Sequence, residues 1–536
     1  MPPTMLSSEF APSTAMQSIR NQVGSKLRNM THYGQPTIEI NIYRNEASRN
    51  TWVTSYSTMD TIEGNVTITA PHDTRFEHVD IAFVGTCQTF VDTLTTSPSM
   101  NGRAVASHRF LVLRQPMAES DFPTPRIFEA GRTYTFPFTF TVPERLLPKS
   151  CSHQVSSDQV RECHLMLPPS LGDAELAGFG STLVDDLAPE MSKITYSVKV
   201  RIAQQRGSGA VCILGEKAKK IRIKPALIEQ PPLSIDGNSE YRAHHEKMVK
   251  KGLFKGKLGT ISARTAQPKA LVIPGARTTD PEPITTIAKL AVRFDPSEEI
   301  NEPPRLTSLS TKIKVSTCFA SSPHHNFPSR LAIGYDVSRG AYSENVPLST
   351  LCIASASWEK HFPSSNSEPY SNASRRDSGI SDCSSTSASE AAFAAGILPA
   401  SKDYKNGTFY TTQLLVPFTL PMDKNFIPTF HSCLVSRTYT LGMKFGVQGG
   451  SGLSLKVPIQ ICAEGSDTGI ENARARSIED SQLRNMLTPR SIAPPPSFED
   501  VHRVQRTASM GMRNELPPRY LTIGSSTRRY EGLIAA

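Results

Sequence analysis

The chain has 536 residues, 38% of them apolar and 20% charged, with 41 prolines and a formal net charge of +9. That suffices for about three ordinary domains, or two large ones with long tails, and is too polar and proline-rich for one continuous globule. No apolar run approaches the roughly 18 residues of a membrane span, and the polar opening "MPPTMLSSEFAPSTAMQSIRN" lacks an export-signal pattern. The nine scattered cysteines then read as reduced thiols of an intracellular protein, soluble or peripheral to a membrane.

After a leader over 1–35, short runs alternate apolar and polar residues: "TIEINIY", "GNVTITA", "VDIAFVG", "RFLVLRQ", "YTFPFTFTV", "ITYSVKVRI" and "KKIRIK". Period two is what a half-buried antiparallel strand needs, and Pro, Gly, Asn and Asp clusters separate the runs. They predict an all-β sandwich over 36–225. A second set, "ITTIAKLAVRF", "STKIKVST", "RLAIGYDV", "TLCIASASW", "FYTTQLLVPFTL", "TYTLGMKFGV" and "LSLKVPIQICAE", predicts another over 284–464. The halves echo each other. "FTFTVPERLLP" and "VPFTLPMDKNFIP" are both alternating strands stopped by proline, and "ITYSVKVRI" around Tyr196 answers "RTYTLGMKFGV" around Tyr439.

Between the halves, 226–283 reads as a basic linker in which "SEYRAHHEKMVKKGLFKGK" forms a short helix or stays disordered. Lys217 to Lys269 holds 13 Lys/Arg against 4 Asp/Glu, which accounts for the whole net charge. Such a segment suits an acidic protein tail, an anionic lipid surface or nucleic acid, or is a solvated strand edge and linker. Lys247, Lys250, Lys251, Lys255 and Lys257 are its candidate contacts. Within the second sandwich, Ser364 to Ser389 has eleven serines and a single large aliphatic residue, Ile380. No core forms from that, so a disordered insertion is expected over about 363–400, and a disordered tail over 465–536.

Catalytic signatures are missing: no G-x-G-x-x-G after a strand, no Walker lysine, no H-E-x-x-H and no G-x-S-x-G. Cys151, His153, Cys163 and His164 in "CSHQVSSDQVRECH" are the best metal candidates, but C-x-H and adjacent C-H are poor ligand spacings. Incidental thiols in a loop are the competing reading, and no metal or cofactor is assigned. Asp185 and Asp186 suit capping or buried pairing better than acid–base work. Basic-aromatic interleaving for nucleic acid is absent, as "KAKKIRIK" contains no aromatic residue. A non-enzyme is expected.

"GNVTITAP", "YTFPFTFTVPERLLP", "CHLMLPPSLGD" and "DDLAPEMSKITYSVKVRI" resemble the arrestin N-terminal domain of fungal arrestin-related proteins. "LVPFTLPMDKNFIPTFHSCLVSRTYTLGMKFGV" looks like the matching C-terminal domain, and the two together cover about 36–464. The resemblance implies an α-arrestin: two sandwiches followed by a tail with PPxY motifs. Such a protein is an adaptor that brings a WW-domain HECT ubiquitin ligase to plasma-membrane transporters or receptors, whose ubiquitination leads to endocytosis. It implies a cytoplasmic protein, peripheral at plasma membrane and endosomes. An arrestin-fold trafficking or signalling scaffold without a ligase is the alternative.

In the tail, Leu516, Pro517, Pro518 and Tyr520 of "LPPRY" match that motif. The prolines pre-set a polyproline II turn for an aromatic-lined groove, Tyr520 fills a second pocket and Leu516 adds an apolar contact. Pro495, Pro496 and Phe498 of "APPPSFED" form a weaker second site, because the absent hydroxyl costs on the order of 1 kcal/mol. Arg375 and Arg376 make Ser378 a basophilic-kinase substrate, and "RTAS" marks Ser509 as a weaker one. Phosphate at Ser378 adds about −1.5 to −2 of charge, able to recruit a phosphoserine-reading regulator.

Overall fold

The computed structural model describes residues 34–43, 55–93, 102–173, 178–179, 182–205, 210–231, 238–252, 256–275, 282–329, 333–362, 398–402, 404–405, 407–448 and 450–487. The alternation anticipated from the sequence is present in the long strands of the first half. Along Ser192–Gln205 the side chains of Ser192, Ile194, Tyr196, Val198, Val200 and Ile202 are buried, and those between them face the other way. Along Thr133–Thr141 the buried set is Phe136, Phe138 and Phe140.

The first half contributes β1 (Thr37–Ile42), β2 (Ser55–Tyr56), β3 (Thr61–Thr69), β4 (Thr74–Arg75), β5 (His78–Thr93), β6 (Gly102–Arg114), β7 (Ile127–Phe128), β8 (Thr133–Thr141), β9 (Gly178–Phe179), β10 (Thr182–Leu183), β11 (Ser192–Gln205) and β12 (Val211–Ile223). A sheet ordered β1-β3-β8 packs on one ordered β2-β12-β11-β5-β6. Pro137 lacks an amide donor and is tolerated because β8 is an edge strand. Phe83 of β5 packs against Phe140 and Tyr196, with ring centroids 6.1 and 5.9 Å away, and Phe110 meets Tyr196 edge-on at 5.5 Å. Gly85 makes room for this aromatic cluster, since a Cβ there would sit 2.5 Å from the Phe110 ring. A short helix, α1 (Asp158–Leu165), is capped by Ser157, which accepts the Val160 N–H at 3.4 Å.

The second half contributes β13 (His244–Lys250), β14 (Lys257–Thr265), β15 (Leu271–Ile273), β16 (Thr285–Pro296), β17 (Leu306–Ala320), β18 (Arg339–Cys352), β19 (Glu359–His361), β20 (Phe409–Thr419), β21 (Phe430–His431), β22 (Val435–Val447), β23 (Gly450–Ile459) and β24 (Ile461–Ala463). Its sheets run β13-β14-β16-β20-β19 and β18-β17-β22, with β21 and β23 also pairing β22. Between them lie Ile261, Val292, Phe294, Phe418, Ile313, Leu441, Met443 and Phe445. The order β6-β5-β11-β12 in the first half is matched by β18-β17-β22-β23 in the second, all antiparallel. Tyr196 and Tyr439 occupy equivalent central strands. Each is fully buried and donates its hydroxyl to a carbonyl upstream: Pro168 O for Tyr196, and Ile427 O at 2.7 Å for Tyr439.

The structure differs from the sequence expectation in four places. The 226–283 stretch carries β13, β14 and β15 of the second half. Only Val249 of β13 is buried, so this charged edge strand has no apolar alternation to read. Ile333 to Val337 of "RLAIGYDV" contains no strand; Tyr335 and Val337 are exposed, and β18 starts after them. The Cys151–His164 stretch holds α1 and a 3₁₀ turn, Pro148–Cys151. Finally, the tail opens with a helix, α2 (Asp467–Leu487). Ser466 caps it by accepting the Gly469 N–H at 3.0 Å, while buried Asp60 accepts from the hydroxyls of Ser466 and, at 2.7 Å, Thr468. Among the described residues no helix is long and apolar enough to cross a membrane.

Candidate functional site

Polar contacts concentrate where the two sandwiches meet. Asp185 and Asp186 lie in the turn that leads into β11. Asp186 accepts the N–H groups of Gly172 at 2.7 Å and Ala188 at 3.1 Å; Asp185 accepts those of Leu187 at 2.8 Å and the Lys424 ammonium at 3.2 Å. Both carboxylates are thus used as caps and ties. They hold Leu187 at φ +58, a left-handed conformation uncommon for a branched side chain. The turn aims the Asp186 and Leu187 carbonyls at Arg437 of β22, which donates to them at 3.2 and 3.1 Å and is 1% exposed. Nearby, the Thr89 hydroxyl donates to Ala320 O at 2.6 Å and the Ser156 N–H to His325 O at 2.9 Å.

A second cluster sits at the same junction. Cys151 closes the 3₁₀ turn, His153 follows it, His164 ends α1, and Cys433 comes from the β21–β22 turn of the other sandwich. Their donor atoms all lie within 4.8 Å of one another; only His153 is partly exposed, the other three being buried. Burial, aided by His153, His324 and Arg161, holds the His164 imidazole down to about 4, and burial pushes the Cys433 thiol up. Of the sequence candidates, Cys163 is excluded from the group. It directly precedes His164 on α1, and neighbours on a helix point about 100° apart.

A shallow basic groove crosses the outward face of the first sandwich. Arg109 and Arg114 of β6 and Lys199 and Arg201 of β11 line it beside Asp80. Arg114 lies 3.7 Å from Asp80, and Glu216 pairs with Lys199 at 2.6 Å and Arg201 at 3.2 Å.

No family model matches this chain. It is similar to "Bypass of stop codon protein 5" of Saccharomyces cerevisiae, a yeast arrestin-related protein, with 31% identity over 134 residues. That match takes in 21% of this chain and 26% of the yeast protein, so the chain spans about a quarter of the relative's length.

The remaining sequence candidates are not brought together. Leu516, Pro517, Pro518 and Tyr520, the string Pro495, Pro496 and Phe498, and Ser378, Ser509 and Lys255 lie outside the described residues. Lys247 and exposed Lys250 stand on β13, Lys257 opens β14, and Lys251 pairs with Glu298 at 2.9 Å. The groove does not show in the charge along the chain, because its cations come from two strands far apart in sequence. The polar face of "SVKVRI" repeats a basic residue every second position, which is the signal that would have found it. Cys433 carries no local signal, being far downstream of Cys151.

Proposed function

We propose that this chain is an adaptor that recruits a WW-domain HECT-type ubiquitin ligase, through the PPxY string ending at Tyr520, to plasma-membrane transporters or receptors. Their ubiquitination and endocytosis follow. The observation that carries the reading is the tandem pair of sandwiches with one strand order, in which Asp185 and Asp186 serve as a cap and a tie across the junction. The partial likeness to a yeast arrestin-related protein and the "LPPRY" string add to it. A double sandwich with a basic groove can hold an acidic cargo segment, and a short proline motif can hold a WW groove; neither task requires bond chemistry. In this reading the protein works in the cytoplasm, peripheral at plasma membrane and endosomes.

The test is a pulldown of the full chain on isolated WW domains of a HECT ligase. Tyr520→Ala removes the occupant of one of two pockets and is expected to weaken binding on the order of tenfold or more. Undiminished binding by Tyr520→Ala refutes recruitment through this string and leaves the ligase-free scaffold.

A further inference from the structure

We propose that Cys151, His153, His164 and Cys433 form a tetrahedral zinc(II) site that fastens the first sandwich to the second. The inference is independent of the adaptor reading and rests on chemistry at the junction. Zinc takes thiolate sulfur at about 2.3 Å and imidazole nitrogen at about 2.0–2.1 Å, so a sulfur–nitrogen edge of its tetrahedron is about 3.6 Å. The Cys151 Sγ lies 3.3 Å from His153 Nε2 and 3.6 Å from His164 Nδ1. With all four donor atoms within 4.8 Å of one another, closing the widest gap requires a shift of about 1 Å, within reach of side-chain rotation.

The surroundings orient the donors. His153 Nδ1 lies 3.0 Å from the Gln154 carbonyl, which makes Nδ1 the protonated nitrogen and turns the Nε2 lone pair toward the sulfur. An outer hydrogen bond of this kind accompanies most zinc-bound imidazoles. Arg161 holds the Cys151 carbonyl at 2.8 Å, and the His324 N–H holds that of Cys433 at 2.8 Å. Next to Cys433, the Ser432 hydroxyl donates to Val435 O at 2.8 Å and accepts the Val435 N–H at 3.2 Å. Both cysteine-bearing turns are therefore set before a metal arrives.

Charge favours a zinc-type cation. When two thiols bind Zn²⁺ each releases its proton to solvent, and two thiolates with one dication are neutral. A neutral assembly is tolerated at a buried junction, where a net charge is costly. Two sulfurs and two imidazole nitrogens in a closed set of four is the donor set of structural rather than catalytic zinc. Because three ligands come from one sandwich and Cys433 from the other, metal binding adds directly to the docking of the two halves.

The experiment measures metal in the full chain purified without chelators, by elemental analysis and by release to a colorimetric chelator after thiol modification. About one zinc per chain is expected in wild type and in Cys163→Ser, falling about tenfold or more in Cys433→Ser and His164→Ala. Cobalt exchanged into wild-type protein should show the intense visible bands of tetrahedral thiolate coordination, a readout that does not depend on the variants folding. Wild type with no stoichiometric zinc and no such cobalt spectrum overturns the site. So does a Cys151–Cys433 disulfide found by mass spectrometry, or zinc that follows Cys163 instead of Cys433.

Discussion

Replacing Arg437 should loosen the junction between the sandwiches. Its guanidinium is buried and donates to the carbonyls of Asp186 and Leu187, while Leu187 is held in a left-handed turn. Arg437→Ala removes two charge-assisted hydrogen bonds of about 1.5–3 kcal/mol each and leaves the buried Leu187 carbonyl and the part-buried Asp186 carbonyl without that donor. Relief of the guanidinium's desolvation, several kcal/mol, offsets part of that loss, so a net cost of about 2–4 kcal/mol is expected. With a urea m-value near 3 kcal/mol/M, the unfolding midpoint should fall by about 1 M. Arg437→Lys keeps the charge without the planar fork and should lie between. Circular dichroism follows both sandwiches; in a Trp52→Phe background Trp358, packed against the second core, reports that half by fluorescence. In the Ala variant the two signals should separate, because the lost bonds cross the junction. A midpoint within about 0.2 M of wild type, with coincident signals, would refute the reasoning.

Changing Lys247, Lys250, Lys251, Lys255 and Lys257 together to glutamine should reduce co-sedimentation with anionic vesicles at low salt. Each lysine near the surface is worth about 1 kcal/mol, and Lys251, already paired with Glu298, should contribute less than exposed Lys250. Equal sedimentation of wild type and variant would leave β13 as a solvated edge strand. Ser378→Ala should raise transporter internalisation after a nutrient shift without altering WW-domain binding, and unchanged uptake in both conditions would make the serine-rich stretch a passive spacer.

The central strands were legible because one buried and one solvated face impose period two, as along β3 and β11. The duplication was legible for the same reason: Tyr196 and Tyr439 sit in strands of identical grammar. The charged edge strand β13 escapes this logic. On β13 the side chains of Lys247 and Lys250 need no burial, so the charge reads as a linker. The α2 helix escapes it too, being polar on nearly every face and started by the Ser466 cap and the Asp60 tie instead of an apolar stripe. At the Cys/His cluster three of four residues were found locally. The adjacent Cys163 took the place of Cys433, because one-dimensional spacing cannot show which thiol a fold brings back.

The shared strand order also has a cost in time. Before β11 exists, β5 has only β6 beside it, and its partner residues run from Thr89 to Ser192, about a hundred positions later. At roughly 5–20 residues per second of synthesis, the apolar "VDIAFVG" edge waits roughly 5–20 s for its neighbour. The second half repeats the wait, with Phe319 of β17 paired to Val435 of β22. Nascent chains halted between β6 and β11, or between β18 and β22, should therefore be the forms that aggregate or engage chaperones, because each holds a hairpin whose inner edge has no partner yet.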